Sequence, residues 1–428
     1  MNLKEAKKIH LVGIKGVGMT ALAELLLAEK KQVSGSDVPE QFFTDSVLQK
    51  LGLTALSFNS SNVTPDIDIV VRSSAYGEDH PEIVEARQKN IFICTYAEAV
   101  AEIFNTHRGI LITGSHGKTT TTAMTGWILE QAGTDPTVLV GAKVNSWGKN
   151  ARVGTGEWMV AEGDEYQNKF LLLKPEILVI TNIDYDHPDF FKTHGSYEEI
   201  FRERVRTMPK DGLLIAHVGI QKIIGTPPCK VEWFGEEFQN KKGYHWELDA
   251  EAAYKVAEHL GIPRERAEDI LQNFMGTARR TEFYTKPDVS VIVIDDYAHH
   301  PSEIQATLAF LRRRYPELFI TAVFQPHTYS RTQALFKEFT KSFSDADEVV
   351  LLPIYSSARE HAEDFPKDLS EQLFTGIAKR HQQVKFVQSI GEAVEYAKSL
   401  DVVPQGRIIV TMGAGNVWEV AKALTIEA

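Results

Sequence analysis

The residues with the clearest chemical potential lie between Ile110 and Thr122, which read ILITGSHGKTTTT. An apolar strand leads into a turn, Gly114–Thr119, and a helix is predicted to begin near Thr120. Backbone N–H groups in such a turn, together with the helix N-terminus, cradle phosphate oxygens. Lys118 would supply a positive charge at the β/γ end of a nucleotide, and the Thr119 hydroxyl could ligate Mg²⁺. The flanking strand and helix favour this interpretation over a chance Gly-Lys-Thr turn, although G-x-x-G-K-T is shorter than the full phosphate-binding pattern.

Acidic residues and a histidine follow the next two predicted strands. Glu162–Glu165 ends the strand that begins at Trp158, and Asn182–His187 follows the strand Ile177–Thr181. Because the carboxyl ends of strands in an open α/β sheet border one crevice, we expect these side chains beside the phosphate-binding turn. Carboxylates beside a triphosphate suit Mg²⁺, which takes few protein ligands. The alternative is that they are solvated loop acids, but their common position behind one phosphate turn favours a metal site.

A second glycine turn, Gly13–Gly18, reads GIKGVG. Its order, G-x-x-G-x-G, differs from the dinucleotide-binding order G-x-G-x-x-G, so nicotinamide chemistry is not implied. The turn nevertheless lies between a predicted strand, Lys8–Val12, and a predicted helix, Met19–Ala28. Asp37, about 20 residues further on at the end of the second strand, could bind a ribose hydroxyl. The pattern favours pyrophosphate recognition over a purely structural turn.

Two more polar segments follow predicted strands in the last third of the chain. The first, DDYAHHP, spans Asp295–Pro301, and the second, FQPHTYSR, spans Phe324–Arg331. His327 and Arg331 are four residues apart and could grip a small carboxylate. A transition-metal site built from the aspartates and histidines of the first segment is the weaker alternative, because Pro301 should start a helix there.

Strands alternate with helices along the whole chain, which predicts parallel β-α-β units and an α/β fold. At roughly 150 residues per domain, 428 residues suggest three domains. The predicted division is an N-terminal Rossmann-like domain over 1–106, a shortened central P-loop ATPase-type domain over 107–283, and a C-terminal Rossmann-like domain over 284–428. Residues 212–243 are predicted to be irregular, because glycines and prolines mark loops there. The third domain should begin with a strand over Val289–Ile294 and contain a helix over Gln333–Phe343.

The composition restricts the possible partners. Lys and Arg number 46 against 58 Asp and Glu, and the net charge of −12 would repel a nucleic-acid backbone. No apolar run reaches the ~18 residues that span a bilayer, so neither nucleic acid nor a membrane is an expected partner. The two cysteines, Cys94 and Cys229, fit neither a disulfide framework nor a zinc pattern. We therefore expect a cytoplasmic protein that is a monomer or a homodimer.

Taken in order, these segments resemble the Mur ligase family, the ATP-dependent enzymes that form amide bonds in peptidoglycan precursor synthesis. The resemblance covers essentially the whole chain and rests on GIKGVGM at 13–19, SSA at 73–75, TGSHGKTTTT at 113–122, GDE at 163–165, DDYAHHP at 295–301 and FQPHTYSRT at 324–332. The last segment, with LLPIY at 351–355, favours the branch that joins L-alanine to the carboxylate of UDP-N-acetylmuramate. The alternatives are the recycling branch, which attaches a murein tripeptide to the same sugar nucleotide, and a non-catalytic relative that only binds nucleotide.

The resemblance implies which residues bind each substrate. The first domain would bind UDP-N-acetylmuramate through Gly13, Lys15, Gly16, Val17, Gly18, Asp37, Ser73 and Ser74. The central domain would bind ATP through Gly114, Ser115, His116, Gly117, Lys118, Thr119, Thr120 and Asn182, with Asp296 on the ribose. Thr119, Glu162 and His187 would hold Mg²⁺, and Lys118, Glu162, His187 and Arg280 would serve catalysis. The amino-acid pocket would contain Tyr297, His299, His327 and Arg331.

One segment departs from the family pattern. The usual H-N-x-x-N, whose asparagine the family uses near adenine, appears here as HWELD at His245–Asp249. An asparagine amide donates and accepts hydrogen bonds, whereas an ionised aspartate only accepts. The resemblance therefore predicts weak base discrimination, with GTP supporting ligation within about tenfold of ATP.

Overall fold

The computed structural model describes residues 2–285, 290–356, 360, 362–400 and 404–425. Its strands form three sheets, one in each third of the chain, and helices connect most of the strands. The predicted fold class, three α/β domains built on parallel sheets, is confirmed. None of the helices within the described ranges has both the length and the apolar character that crossing a bilayer requires.

The N-terminal sheet has four parallel strands in the order β2-β1-β3-β4. These strands are β1 (Lys8–Val12), β2 (Gln32–Ser36), β3 (Ile69–Arg72) and β4 (Phe92–Thr95). The helices of this domain are α1 (Val17–Ala28), α2 (Phe43–Lys50), α3 (Pro81–Gln88) and α4 (Tyr96–Phe104).

The central sheet has seven strands in the order β11-β10-β9-β5-β8-β6-β7, and its edge strand β7 is antiparallel. The strands are β5 (Arg108–Thr113), β6 (Thr137–Val144), β7 (Lys149–Arg152), β8 (Trp158–Glu162), β9 (Ile177–Ile180), β10 (Leu213–His217) and β11 (Lys230–Phe234). The helices are α5 (Lys118–Gln131), α6 (His194–Arg206), α7 (Gln221–Ile224), α8 (His245–His259) and α9 (Arg264–Leu271).

The C-terminal sheet has six strands in the order β12-β13-β17-β14-β15-β16, and β12 is antiparallel to β13. The strands are β12 (Glu282–Phe283), β13 (Val291–Asp296), β14 (Phe319–Phe324), β15 (Glu348–Leu351), β16 (Val384–Phe386) and β17 (Arg407–Met412). The helices are α10 (Pro301–Arg314), α11 (Tyr329–Ala334), α12 (Phe336–Phe339), α13 (Leu369–Ala378), α14 (Ile390–Lys398) and α15 (Trp418–Thr425).

Two predictions about individual elements are wrong. Residues 212–243 contain β10 and β11, which pair in parallel and complete one edge of the central sheet. The glycine and proline signals belong to the connection between these two short strands. The helix predicted over Gln333–Phe343 is instead two short helices, α11 and α12, because the chain leaves helical geometry at Leu335. The first β-strand of the third domain was expected from Val289, which lies outside the described residues.

Each chemically interesting segment follows the carboxyl end of a parallel strand. β1 leads into the first glycine turn, β5 into the phosphate turn, and β8 ends at Glu162. β9 precedes residues 181–187, β13 precedes residues 297–300, and β14 precedes residues 325–331. Buried side chains of the N-terminal and central domains form one continuous apolar cluster, which fixes these two sheets against each other. The fold therefore brings the predicted site residues to the strand ends where ligands bind in such sheets.

The phosphate turn depends on two glycines with positive φ. At Gly114 (φ +132°), an added β-carbon would lie 2.2 Å from the hydroxyl oxygen of Thr181. At Gly117 (φ +80°), which directly precedes α5, it would lie 2.2 Å from a carboxylate oxygen of Asp249. Asp249 belongs to α8, which packs along α5. Any larger residue at either glycine would therefore displace the turn or the chain that supports it.

Asp249 is buried beneath this turn, and burial raises the pKa of its carboxyl group to about 8. The group therefore carries a proton at neutral pH, and a protonated carboxyl donates as well as accepts hydrogen bonds. The premise that Asp249 is an ionised, acceptor-only group is wrong. The expectation of weak discrimination between ATP and GTP consequently loses its physical basis.

The buried carboxyl should make stability depend on pH. Its pKa is about 8 in the folded protein and 3.8 when unperturbed, so unfolding releases a proton between these values. The protonated carboxyl contributes fully to the free energy of unfolding below the unperturbed pKa of 3.8. This contribution falls by up to ~1.4 kcal/mol per pH unit as pH rises, until the folded-state pKa of about 8 is passed. We predict that Asp249→Asn, which cannot ionise, gains stability relative to the unaltered protein between about pH 5 and about pH 8.

Urea unfolding of both proteins across this pH range measures the difference. Asp269→Asn is the matched control, because Asp269 is an exposed aspartate of the neighbouring helix α9. The free energy of unfolding of the control should differ from that of the unaltered protein by the same amount at every pH. A constant offset for Asp249→Asn as well would contradict the prediction.

Candidate active site

The amine of Lys118 is folded back against the chain that surrounds it. Its Nζ donates to the carbonyl oxygens of Gly114 (2.6 Å) and Ser115 (2.9 Å) and lies 3.0 Å from a carboxylate oxygen of Glu165. Burial alone would lower the pKa of Lys118, but Glu165 and Glu162 outweigh burial and raise it. The lysine is therefore charged, and two carbonyl oxygens and the Glu165 carboxylate orient it.

Asn182 supports the phosphate turn from behind. Its side-chain oxygen accepts from the backbone N–H of His116 at 2.9 Å, and its amide nitrogen donates to the His116 carbonyl at 2.9 Å. The hydroxyl of Ser115 is likewise engaged, at 2.8 Å from the hydroxyl of Tyr197. Both side chains thus hold the turn in shape rather than leaving their polar atoms open to a ligand.

The three residues predicted to hold Mg²⁺ lie together. Thr119 Oγ1 donates to Glu162 Oε1 at 2.9 Å, and the other oxygen of Glu162 accepts from the backbone N–H of Gly141 at 2.7 Å. His187 lies in the same cavity wall, with its Nε2 3.6 Å from a carboxylate oxygen of Glu165. A hydroxyl and a carboxylate beside a phosphate turn form a donor set that fits a hard cation such as Mg²⁺.

A cavity of about 410 Å³ lies between the central and C-terminal domains, and we call it the interdomain cavity. Residues 115–119 of the phosphate turn line one side of it, together with Glu162 and His187. Arg280 lies in the same wall. The C-terminal domain contributes all four predicted residues of the amino-acid pocket to the cavity wall. They are Tyr297, His299, His327 and Arg331.

Arg331 is joined across the domain interface to Asp186. Its Nε donates to Asp186 Oδ1 at 2.8 Å and its Nη2 to Oδ2 at 3.3 Å, while Nη1 donates to the carbonyl of His327 at 3.2 Å. Burial would raise the pKa of Asp186, but Arg331 outweighs burial and holds it well below its usual value. This ion pair fixes the guanidinium in the cavity wall.

His299 is neutral. Burial lowers the pKa of this imidazole to about 3, despite the nearby carboxylate of Glu303. Its Nδ1 lies 2.9 Å from the carbonyl oxygen of Tyr297 and 3.2 Å from Glu303. Both of these neighbours can only accept, so Nδ1 carries the proton and Nε2 keeps its lone pair.

His116, in contrast, is a cation that lies between two carboxylates. Burial would lower its pKa, but Glu303 and Asp184 outweigh burial and raise it to about 9. Its Nε2 lies 3.3 Å from Asp184, and its Nδ1 lies 3.3 Å from Glu303 of the C-terminal domain. A side chain of the phosphate turn thus forms part of the interface between two domains.

A metal site within DDYAHHP is not formed by the aspartates of that segment. Asp295 pairs with Arg279 at 2.9 Å, and Asp296 accepts from the backbone N–H and the hydroxyl of Thr281. Among the described residues, metal-compatible spacing is found instead for His116, Asp184 and His300. In this structure both ring nitrogens of His116 face carboxylates, those of Asp184 and Glu303.

A second cavity, also of about 410 Å³, lies between the N-terminal and central domains, and we call it the N-terminal cavity. The first glycine turn lines it with Gly16, Val17 and Gly18, and the loop after β3 lines it with Ser73 and Ser74. Two side chains of the central domain, Lys118 and Glu162, line both this cavity and the interdomain cavity. The two cavities therefore meet at the phosphate turn.

Several predicted contact residues lie outside the walls of both cavities. For Lys15, Asp37 and Asp296, neighbouring groups in the protein already bind the polar side-chain atoms. Lys15 Nζ donates to two carbonyl oxygens of residues 38–40. Asp37 accepts from the backbone N–H of Lys15 at 2.7 Å and from the Tyr76 hydroxyl at 3.1 Å. Asp296 is bonded to Thr281 as described above. Gly13, Gly114, Thr120 and Asn182 also lie outside the two walls.

The sequence interpretation missed four residues that hold the site together. Glu165 and Asp186 lie in acidic segments that were recognised, but their spacing does not reveal their partners, Lys118 and Arg331. Glu303 follows His299 by four residues, which is the spacing of neighbours on a helix and could have indicated the contact. Tyr197, on α6, carries no recognisable signal.

Comparisons with known proteins match all three parts of the chain. Residues 8–108 match the Mur ligase family catalytic domain, residues 112–257 the Mur ligase middle domain, and residues 279–415 the Mur ligase glutamate ligase domain. The UDP-N-acetylmuramate–L-alanine ligase of Desulfitobacterium hafniense is 37% identical, over 97% of this chain and 99% of that protein. The ligase of the same name from Trichlorobacter lovleyi is 36% identical, over 98% of each chain.

Solved structures give the same result. The UDP-N-acetylmuramate–alanine ligase of Thermotoga maritima superposes with a TM-score of 0.80 at 25% identity, over 98% of both chains. A murein peptide ligase from Psychrobacter arcticus shares the fold, with a TM-score of 0.69 at 20% identity. With full-length relatives at this level of identity, the chain belongs to the Mur ligase family of ATP-dependent ligases, whose middle domain binds ATP.

Proposed function

We propose that this protein joins L-alanine to the carboxylate of UDP-N-acetylmuramate through an acyl phosphate, with hydrolysis of ATP to ADP and phosphate, in peptidoglycan precursor synthesis. One observation carries the proposal: Lys118 and Glu162 line both cavities, so a sugar carboxylate in one can reach a γ-phosphate in the other. Because the substrates are nucleotides of precursor synthesis, we assign the reaction to the cytoplasm.

The first step transfers a phosphoryl group. A carboxylate oxygen of the sugar nucleotide attacks the γ-phosphorus of ATP, which forms the acyl phosphate and releases ADP. Lys118 offsets the negative charge on the transferring group, since positioning and electrostatics dominate such reactions. Arg280, in the same wall, would contact the phosphates as well. Thr119, Glu162 and His187 would hold Mg²⁺, which supplies further positive charge to the phosphate oxygens.

The second step forms the amide. Arg331, oriented by Asp186, and His327 would bind the carboxylate of L-alanine. The lone pair on Nε2 of His299 would accept a hydrogen bond from the uncharged amine and orient its nitrogen towards the acyl carbon. The amine attacks the acyl carbon, and phosphate leaves from the tetrahedral intermediate. Closed domain contacts around the cavity keep water from the acyl phosphate.

Two other functions remain as alternatives from the sequence. A recycling ligase would use a murein tripeptide in place of L-alanine, and the murein peptide ligase of Psychrobacter arcticus supports only the shared fold. A non-catalytic relative would bind nucleotide without turnover, but the charged Lys118 and the assembled Thr119–Glu162 pair support catalysis. The full-length relatives at 36–37% identity favour the alanine branch.

Phosphate release with a panel of amine substrates tests the proposed function. We predict turnover that requires both UDP-N-acetylmuramate and L-alanine, with glycine and L-serine as poorer substrates. Discrimination over one methylene is worth about 1–3 kcal/mol, so some reaction with these neighbours is expected. Reaction with L-alanyl-γ-D-glutamyl-diaminopimelate but not with L-alanine would assign the protein to the recycling branch. Absence of any turnover would leave the non-catalytic relative.

Removal of the Lys118 amine should abolish ligation. We predict that Lys118→Ala lowers kcat by roughly 10³–10⁵-fold, the range for other cations that stabilise phosphoryl transfer. Binding of UDP-N-acetylmuramate, measured by calorimetry, should weaken less than about tenfold, because other residues supply most of the N-terminal cavity. The matched control is Lys210→Ala, which removes an exposed lysine that lines neither cavity. A loss of kcat no larger than that of the control would contradict this role.

A further inference from the structure

Glu303 lies at the beginning of α10, directly after the DDYAHHP segment. Its Oε2 accepts from the backbone N–H groups of His299 (3.0 Å) and His300 (3.2 Å), which is an ordinary cap of a helix N-terminus. Glu303 is nevertheless part of the wall of the interdomain cavity, and its side chain is only 10% exposed. A helix cap does not by itself require this location.

The two carboxylate oxygens of Glu303 face different parts of the cavity. Oε1 lies 3.3 Å from His116 Nδ1, in the phosphate turn, and 3.6 Å from Arg280. Oε2 lies 3.2 Å from His299 Nδ1, in the proposed amino-acid pocket. One buried carboxylate of the C-terminal domain thus contacts the nucleotide side and the amino-acid side at once.

The contact with His299 has a chemical consequence. A carboxylate beside Nδ1 can only accept, so it favours the tautomer with the proton on Nδ1 and the lone pair on Nε2. The contact with His116 supplies the counter-charge for a cation in the phosphate turn. The contact with His116 forms only when the C-terminal domain is docked on the central domain, whereas the contact with His299 lies within the C-terminal domain. Docking therefore fixes the carboxylate that orients His299.

We propose that Glu303 is a positioning residue that couples docking of the C-terminal domain on the phosphate turn to assembly of the L-alanine pocket. The coupling runs from His116 through the carboxylate to His299. This inference rests on the proposed function and adds to it a wall residue that acts by orienting His299. Its loss should therefore weaken the use of L-alanine more than the use of UDP-N-acetylmuramate.

The chain offers a matched control in a second ion pair between the same two domains. Arg313 of α10 pairs with Glu247 of α8 and also donates to the carbonyl of Gly243 at 2.8 Å. Neither Arg313 nor Glu247 lines the interdomain cavity. Glu247→Gln thus breaks a charge pair across the same interface and leaves the pocket untouched.

Steady-state kinetics of Glu303→Gln, Glu247→Gln and the unaltered protein test the proposal. We expect Glu303→Gln to raise the KM for L-alanine about tenfold or more and to change the KM for UDP-N-acetylmuramate less than about twofold. Glu247→Gln should change both KM values less than about twofold. His116→Asn should also raise the KM for L-alanine, and its effect should be less than multiplicative with that of Glu303→Gln, as for residues that act as one unit.

The outcomes separate this proposal from the proposed function. An unaltered protein without L-alanine-dependent phosphate release overturns the proposed function and this inference with it. An active unaltered protein in which Glu303→Gln behaves like Glu247→Gln overturns only the inference, as does a fully multiplicative double variant. Thermal melting of each variant checks its folding. If Glu303→Gln does not fold, an unchanged KM for L-alanine in His116→Asn overturns the proposal.

Discussion

A carboxylate becomes an acyl donor only after it is phosphorylated, and an acyl phosphate persists only where water is kept out. ATP, the sugar carboxylate and the attacking amine must therefore meet at one enclosed place. In this protein that place is the phosphate turn, where Lys118 and Glu162 line both cavities. The three sheets serve this requirement, because each directs its strand ends and their loops to a cavity that borders the same turn.

Buried charge pairs hold the C-terminal domain on the central domain around this turn. Asp186 binds Arg331, and His116 faces Glu303. Removing one partner of such a pair leaves a buried charge without compensation, which is far costlier than losing an exposed ion pair. The pairs therefore specify one docked arrangement, and in that arrangement the guanidinium of Arg331 and the neutral imidazole of His299 face the same cavity.

Much of this arrangement could be predicted from the sequence, because the informative residues are local. The phosphate turn, the acidic strand end at Glu162 and the carboxylate-binding pair His327 and Arg331 are short patterns with a direct chemical reading, and the structure brings them to one cavity. The edge strands β10 and β11 were missed because loop signals between two short strands dominate that stretch.

The contacts that could not be predicted connect residues far apart in the chain. Nothing in the sequence shows that Asp186 pairs with a side chain 145 residues away, or that Asp249 lies beneath Gly117. The error about Asp249 has the same origin: its protonation depends on burial by tertiary packing, which a local motif does not encode. Lys15 and Asp37 have the residue types of ligand contacts, but the surrounding loop uses their polar atoms.

The central claim is that the sugar carboxylate passes through an acyl phosphate at the junction of the two cavities. Isotope transfer tests it most directly, with UDP-N-acetylmuramate whose carboxylate oxygens are both ¹⁸O and with unlabelled ATP and L-alanine. The oxygen that attacks the γ-phosphorus leaves with the phosphate, so the account predicts one ¹⁸O in each phosphate released and one retained in the amide. Unlabelled phosphate, formed together with the amide product, would contradict the account.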